Sequence, residues 1–115
     1  MKLKIHITKE ILAKSMNCRG QASTNCAFAV ALREIFPEVS VGYEYVFFED
    51  GNTMSITNSM YCFIRKFDDL VDTPIERLNL PEQSFEIEVP DEVIERIGLT
   101  EVERILSESK TLERV

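Results

Sequence analysis

The residue whose type and position come nearest to a nucleophile is Cys26, which follows Asn25 and stands where a buried apolar stretch begins. A helix amino terminus lowers the pKa of a thiol, so a cysteine there can serve cysteine-dependent chemistry if a base stands beside it. The single histidine, His6, lies upstream on the polar side of an alternating segment, and the third, orienting group is also missing. Cys26 therefore reads as a core cysteine at a helix start, and no residue is assigned a catalytic role.

By ligand type, Cys18, Cys26, Cys62 and His6 would suit zinc, since thiolates and imidazole favour that ion. Their spacing argues against it. Structural zinc sites usually present two ligands a few residues apart, whereas Cys18 and Cys26 are eight positions apart and Cys62 falls on the buried side of a helix pattern. Glu49, Asp50 and Asn52 gather at a turn, and Asp68, Asp69 and Asp72 near a helix end, without the spacing of a calcium loop. The four glycines are scattered singly, so no phosphate-cradling loop is present. Neither a metal nor a cofactor is expected.

The elements that would carry these residues follow from hydrophobic period. Leu3, Ile5 and Ile7 alternate with Lys2, Lys4 and His6 as a half-buried strand. Thr8 can cap a short helix carrying Ile11, Leu12 and Met16, with Ile7 and Leu12 as a hydrophobic staple. A polar loop, residues 17–25, precedes a largely enclosed helix from Cys26 to Phe36, capped by Asn25 or Thr24 and ended by Pro37.

Val39, Val41, Tyr43, Tyr45 and Phe47 then alternate with the residues between them. Asp50-Gly51 supplies a tight turn before Met54 and Ile56. This is a hairpin with a long first arm, apolar on both faces at Val46 to Phe48 and so expected to be covered on both sides. Asn58 or Ser59 can cap an amphipathic helix bearing Met60, Phe63, Ile64, Phe67 and Val71. Residues 72–82 read as a loop, and Phe85, Ile87 and Val89 as a last strand with an acidic outer face. Pro90 opens a helix with Val93, Ile94 and Ile97, closed by Gly98, and Thr100 with Glu103 forms a capping box for a final helix. The predicted order is β-α-α-β-β-α-β-α-α, an α+β fold with a small, mostly antiparallel sheet of about four strands packed against helices.

At 115 residues the chain suits one domain, spanning 1–115, with residues 90–115 as a helical carboxyl-terminal extension. The longest apolar run, Cys26 to Leu32, is too short to cross a bilayer, and the first residues are amphipathic rather than a signal peptide, so the expected location is the cytoplasm with reduced thiols. A net charge of −7 repels phosphate backbones, which disfavours direct nucleic-acid binding and leaves solubility and attraction to basic surfaces.

In the order of its motifs the chain resembles a family of small, functionally uncharacterised proteins encoded by phages and prophages. The residues that carry the likeness are Ile7-Thr8-Lys9-Glu10-Ile11, Cys26-Ala27-Phe28-Ala29-Val30-Ala31-Leu32-Arg33, Val39-Ser40-Val41-Gly42, Phe63-Ile64-Arg65-Lys66-Phe67-Asp68 and Phe85-Glu86-Ile87. The match spans residues 1 to 89. It departs at Ala27, where the family often has Pro, and members frequently end near the last strand. The resemblance implies an accessory protein of a mobile element, a class that more often works by binding a host factor or signalling ligand than by catalysis, and it transfers no active-site residue.

The resulting expectation is a non-enzymatic binding module that binds or inhibits a host protein. One alternative is a small-molecule or nucleotide binder using Tyr43, Tyr45 and the Arg19 loop, and another is an enzyme using Cys26. Val102, Ile105 and Leu106 are expected to meet their equivalents in a homodimer.

Overall fold

The computed structural model describes residues 1–19 and 26–115. Strand β1 (Lys2–Ile7) alternates as its pattern demands, with Leu3, Ile5 and Ile7 sealed from water. The Thr8 hydroxyl accepts the Ile11 N–H and starts helix α1 (Lys9–Ser15). The expected caps Thr24 and Asn25 lie outside the described residues, and Cys26 occupies the N-cap position of α2 (Ala27–Leu32). That helix is shorter than its apolar run. The Leu32 carbonyl accepts from both Ile35 and Phe36, tightening the chain into turns, because Pro37 disfavours helical geometry at the residue before it. Ile35 and Phe36 are buried all the same.

Residues 39–48 correct the long hairpin arm. Two strands, β2 (Ser40–Val41) and β3 (Tyr45–Phe47), pair with each other, and β3 pairs with β4 (Thr53–Ser55) beyond the Asp50-Gly51 turn. A two-residue reversal, Tyr43-Glu44, places Val41 opposite Val46, and residues opposite each other share a face. The parity of the buried set therefore flips, from Val39 and Val41 to Val46 and Phe48. Tyr45 and Phe47 are left facing solvent, so the arm is covered on one side and not on both.

Helix α3 (Asn58–Asp69) is capped by Thr57, ahead of both Asn58 and Ser59, and the Thr57 hydroxyl accepts the Met60 N–H at 3.2 Å. Its stripe of Met60, Phe63, Ile64 and Phe67 is buried. Phe28 of α2 meets Phe63 of α3 edge-on at 5.4 Å, and Phe85 at 4.9 Å, which fixes the centre of the core. Within the segment read as a loop, Pro74 opens a short helix, α4 (Pro74–Leu78).

Strand β5 (Gln83–Glu88) lies antiparallel to β1, and helices α5 (Asp91–Ile97) and α6 (Leu99–Glu108) follow. Gly98, at φ 102°, is the joint between them. Leu99 is already helical, so Thr100 comes too late to cap; the capping box does not form, and Glu103 instead accepts from Arg114 at 2.6 Å. A strand that the sequence did not announce, β6 (Leu112–Arg114), pairs with the other edge of β1.

The fold is α+β. Among the described residues the strands form two antiparallel three-stranded sheets, in the orders β5-β1-β6 and β2-β3-β4, around one apolar core. Among the described residues no helix is long and apolar enough to cross a membrane.

Candidate functional site

The parity flip at Tyr43-Glu44 builds an exposed aromatic surface. Tyr45 and Phe47 are 43% and 45% exposed on the open face of β3, with ring centroids 6.2 Å apart. Tyr61, on the first turn of α3, is 40% exposed and stands 6.2 Å from the Tyr43 ring. The Tyr43 hydroxyl donates to the Asp68 carboxylate, and the Arg65 guanidinium lies 5.7 Å from the centre of its ring. The hydrogen bond to Asp68, aided by burial, pushes the Tyr43 phenol up to about 12, so Tyr43 is a fixed neutral donor. Tyr43, Tyr45, Ile56, Thr57 and Tyr61 line a shallow open groove between the sheet and the helix. Such a surface suits flat apolar groups or the side chains of a partner, because aromatic rings offer large contact area with little conformational entropy to lose.

Arg19 is not part of it. Its guanidinium pairs with Asp72 at 3.6 Å, beyond the end of α3, and the residues lining the groove include no cation. Val102 is fully buried within its own chain and has no surface to lend a second copy, while Ile105 and Leu106 are half-buried against the core.

Cys26 sits in an environment opposite to that of an activated thiol. Burial pushes it up to about 11, against a smaller opposing effect from the Ala29 N–H. Cys62 is exposed rather than buried, because it falls beside the apolar stripe of α3. With Cys26 in the core and His6 on the outer sheet face, the structure does not bring the four zinc-type residues together. At the hairpin turn Asp50 accepts the Asn52 N–H at 2.9 Å, which holds its carboxyl below the usual range, and Glu49 pairs with Arg96 at 3.7 Å. The half-open crevice beside them measures about 60 Å³, far below the roughly 300 Å³ at which small-molecule pockets begin.

Strand register creates one constellation that spacing concealed. His6 Nδ1 lies 2.6 Å from Ser84 Oγ, and its Nε2 lies 3.0 Å from Glu113 Oε1, across three adjacent strands. By residue type this is a nucleophile, a base and an orienting carboxylate. It stands on a solvated sheet face beside an open groove that His6 and Ser84 line, where the same contacts also serve as a cross-strand polar rung. Only the pairing of β1 with β5 and β6 could have disclosed it.

Arg77 is the other residue that sequence reasoning missed. It is 1% exposed, its Nε donates to the Phe67 carbonyl at 2.8 Å, and Nη1 donates to the carbonyls of Met16 and Cys18. The guanidinium also lies 4.1 Å from the centre of the Phe67 ring. It thereby ties the ends of α1 and α3 to α4, where helix carbonyls favour a cation. Desolvation lowers its pKa from the usual arginine value. Pro74 was the available signal, since proline at a first helical position marks the turn that presents Arg77.

No protein-family model, curated protein or solved structure matches the chain.

Proposed function

We propose that this chain is a protein-binding module whose contact surface is the aromatic face formed by Tyr43, Tyr45, Phe47 and Tyr61. The observation that carries this is the exposure of three large aromatic side chains around one groove and its sheet face. Aromatic anchors of this kind dominate interface energetics, and a fold gains nothing from leaving them in water. The partner that fits is a protein with an apolar patch framed by basic residues, given a net charge of −7 and Glu44 at the rim. The setting is that of an accessory protein of a phage or integrated element acting on a host protein, a reading that rests on the motif resemblance.

Affinity capture from bacterial lysate by the wild-type chain and by Tyr45→Ala with Phe47→Ala tests the surface. A partner on this face is retained by the first and lost by the second, with salt weakening the wild-type interaction. Equal capture by both chains overturns the proposal.

A second reading, acyl transfer by Ser84, is favoured by the hydrogen-bonded Ser84, His6 and Glu113. In that reaction Ser84 Oγ bonds to the acyl carbon, His6 takes its proton and passes it to the leaving group, and water releases the acyl group. A fluorophosphonate probe decides it: labelling of Ser84 that disappears in His6→Ala supports the reading, and an unlabelled wild type removes it.

A further inference from the structure

Both sheets stop at an edge that has no strand beside it among the described residues, and the two edges face the same groove. The strand orders make β5 and β4 outermost. Met1 and Val89 exchange backbone hydrogen bonds at 2.9 Å, so Phe85 and Ile87 turn their main chain toward β1, and Ser84, Glu86 and Glu88 turn theirs outward. Likewise the bonds from Phe48 to Asn52 and from Ile56 to Glu44 leave the main-chain groups of Thr53 and Ser55 outward on β4. A groove of about 500 Å³ separates the edges, lined by Thr53, Met54, Ser55 and Thr57 on one side and by Glu86, Ile87, Glu88 and Pro90 on the other, with Lys2 of β1 behind the glutamates. Each strand thus offers it two polar residues from the open face and one apolar residue from the core side.

Charge indicates what belongs there. Across the outer face of the first sheet the rows run acidic, basic, acidic: Glu113, then Lys4 and Lys2, then Glu86 and Glu88, with Lys4 opposite both Glu113 and Glu86 and Lys2 opposite Glu88. Opposite charges on facing strands stabilise a sheet and like charges destabilise it, so the next row in this alternation is basic. The same rule disfavours a second copy pairing through β5, which would set Glu86 and Glu88 against themselves.

We infer that the groove receives one extended strand of a partner protein in which basic side chains alternate with apolar ones. The strand bonds to β5 along one edge and to β4 along the other, with its basic row beside Glu86 and Glu88 and its apolar row over Ile87 and Met54. It joins the two three-stranded sheets into one. The inference rests on the reading of the chain as a protein-binding module and supplies the chemistry of the bound segment.

The probe is a fluorescently labelled peptide of alternating lysine and valine, read by anisotropy and by amide hydrogen exchange. The expected result is saturable binding with slowed exchange at Thr53, Ser55, Glu86 and Glu88. Methylating the valine nitrogens removes the donors of one edge and should weaken binding about tenfold or more. Glu86→Lys with Glu88→Lys should reverse the preference toward a glutamate-valine peptide. Glu76→Ala, on α4 and outside the groove, should leave peptide affinity within about twofold, and because the peptide is titrated without any captured partner, failure of the groove and failure of the aromatic surface are read separately. The inference is overturned if methylated and unmethylated peptides bind equally, if neither binds, or if protection appears away from β4 and β5.

Discussion

Replacing Arg77 with methionine removes one buried cation and its hydrogen bonds to three main-chain carbonyls, those of Phe67, Met16 and Cys18. Methionine keeps an unbranched apolar stem against the Phe67 ring, so the change isolates the polar contribution. Hydrogen bonds to a charged group contribute about 1.5 kcal/mol or more each, and the desolvation that lowers the Arg77 pKa offsets part of that gain. The expected net loss is about 3 kcal/mol, a large part of a total stability of roughly 5–15 kcal/mol. At about 4 °C per kcal/mol, the melting temperature should fall by about 12 °C. Arg77→Lys keeps the charge without the planar fork and should lose about 2 kcal/mol. Urea and thermal denaturation followed by circular dichroism measure both variants. If Arg77→Met stays within about 1 kcal/mol of the wild type, the guanidinium does not tie the ends of α1 and α3 to α4, and the reasoning fails.

The Cys26 thiol, held up to about 11, binds its proton more tightly in the folded chain than in the unfolded one, where its ordinary value is 9.0. That stabilisation is complete below pH 9 and is lost as pH rises toward 11, a decline of about 2 kcal/mol in unfolding free energy that Cys26→Ala should reduce. Iodoacetamide at neutral pH should modify exposed Cys62 well before buried Cys26, as peptide mapping would show; equal rates would mean that Cys26 is accessible. Leu112→Ala should cost about 3 kcal/mol in urea denaturation, because Leu112 is buried where β6 closes the edge of β1. Deleting residues 100–115 should destabilise the monomer rather than dissociate a dimer, since fully buried Val102 and strand β6 both pack within the chain; a truncated form as stable as the full chain would contradict this.

Strong periodicity disclosed much of the fold. The alternation of Lys2 to Ile7, the stripe of Met60, Phe63, Ile64 and Phe67, and the turns at Asp50-Gly51 and Gly98 all appear where their residue types placed them. What stayed hidden depends on pairing between distant segments. Alternation from Val39 to Phe47 reads equally well as one strand or as two strands reversed at an even loop, and only the second leaves Tyr45 and Phe47 in water. Strand β6 has only three residues, and its formation depends on β1 offering an open edge. Pro74 marks a helix turn, but nothing in the sequence hints that carbonyls from two distant segments, Phe67 on one and Met16 and Cys18 on the other, converge on Arg77. Tyr43 and Tyr45 were visible as candidates, and the structure puts them beside Tyr61 and Phe47, with Arg19 outside the group.

The aromatic face is the central claim, and the affinity of a captured partner for Tyr45→Ala with Phe47→Ala, measured by titration calorimetry beside the melting temperature of the variant, tests it most directly. Two anchors lost from the middle of an interface should weaken binding by about thirtyfold or more. The melting temperature should stay within a few degrees of the wild type, because both side chains face solvent in the free chain. Unchanged affinity in a folded variant would contradict the account.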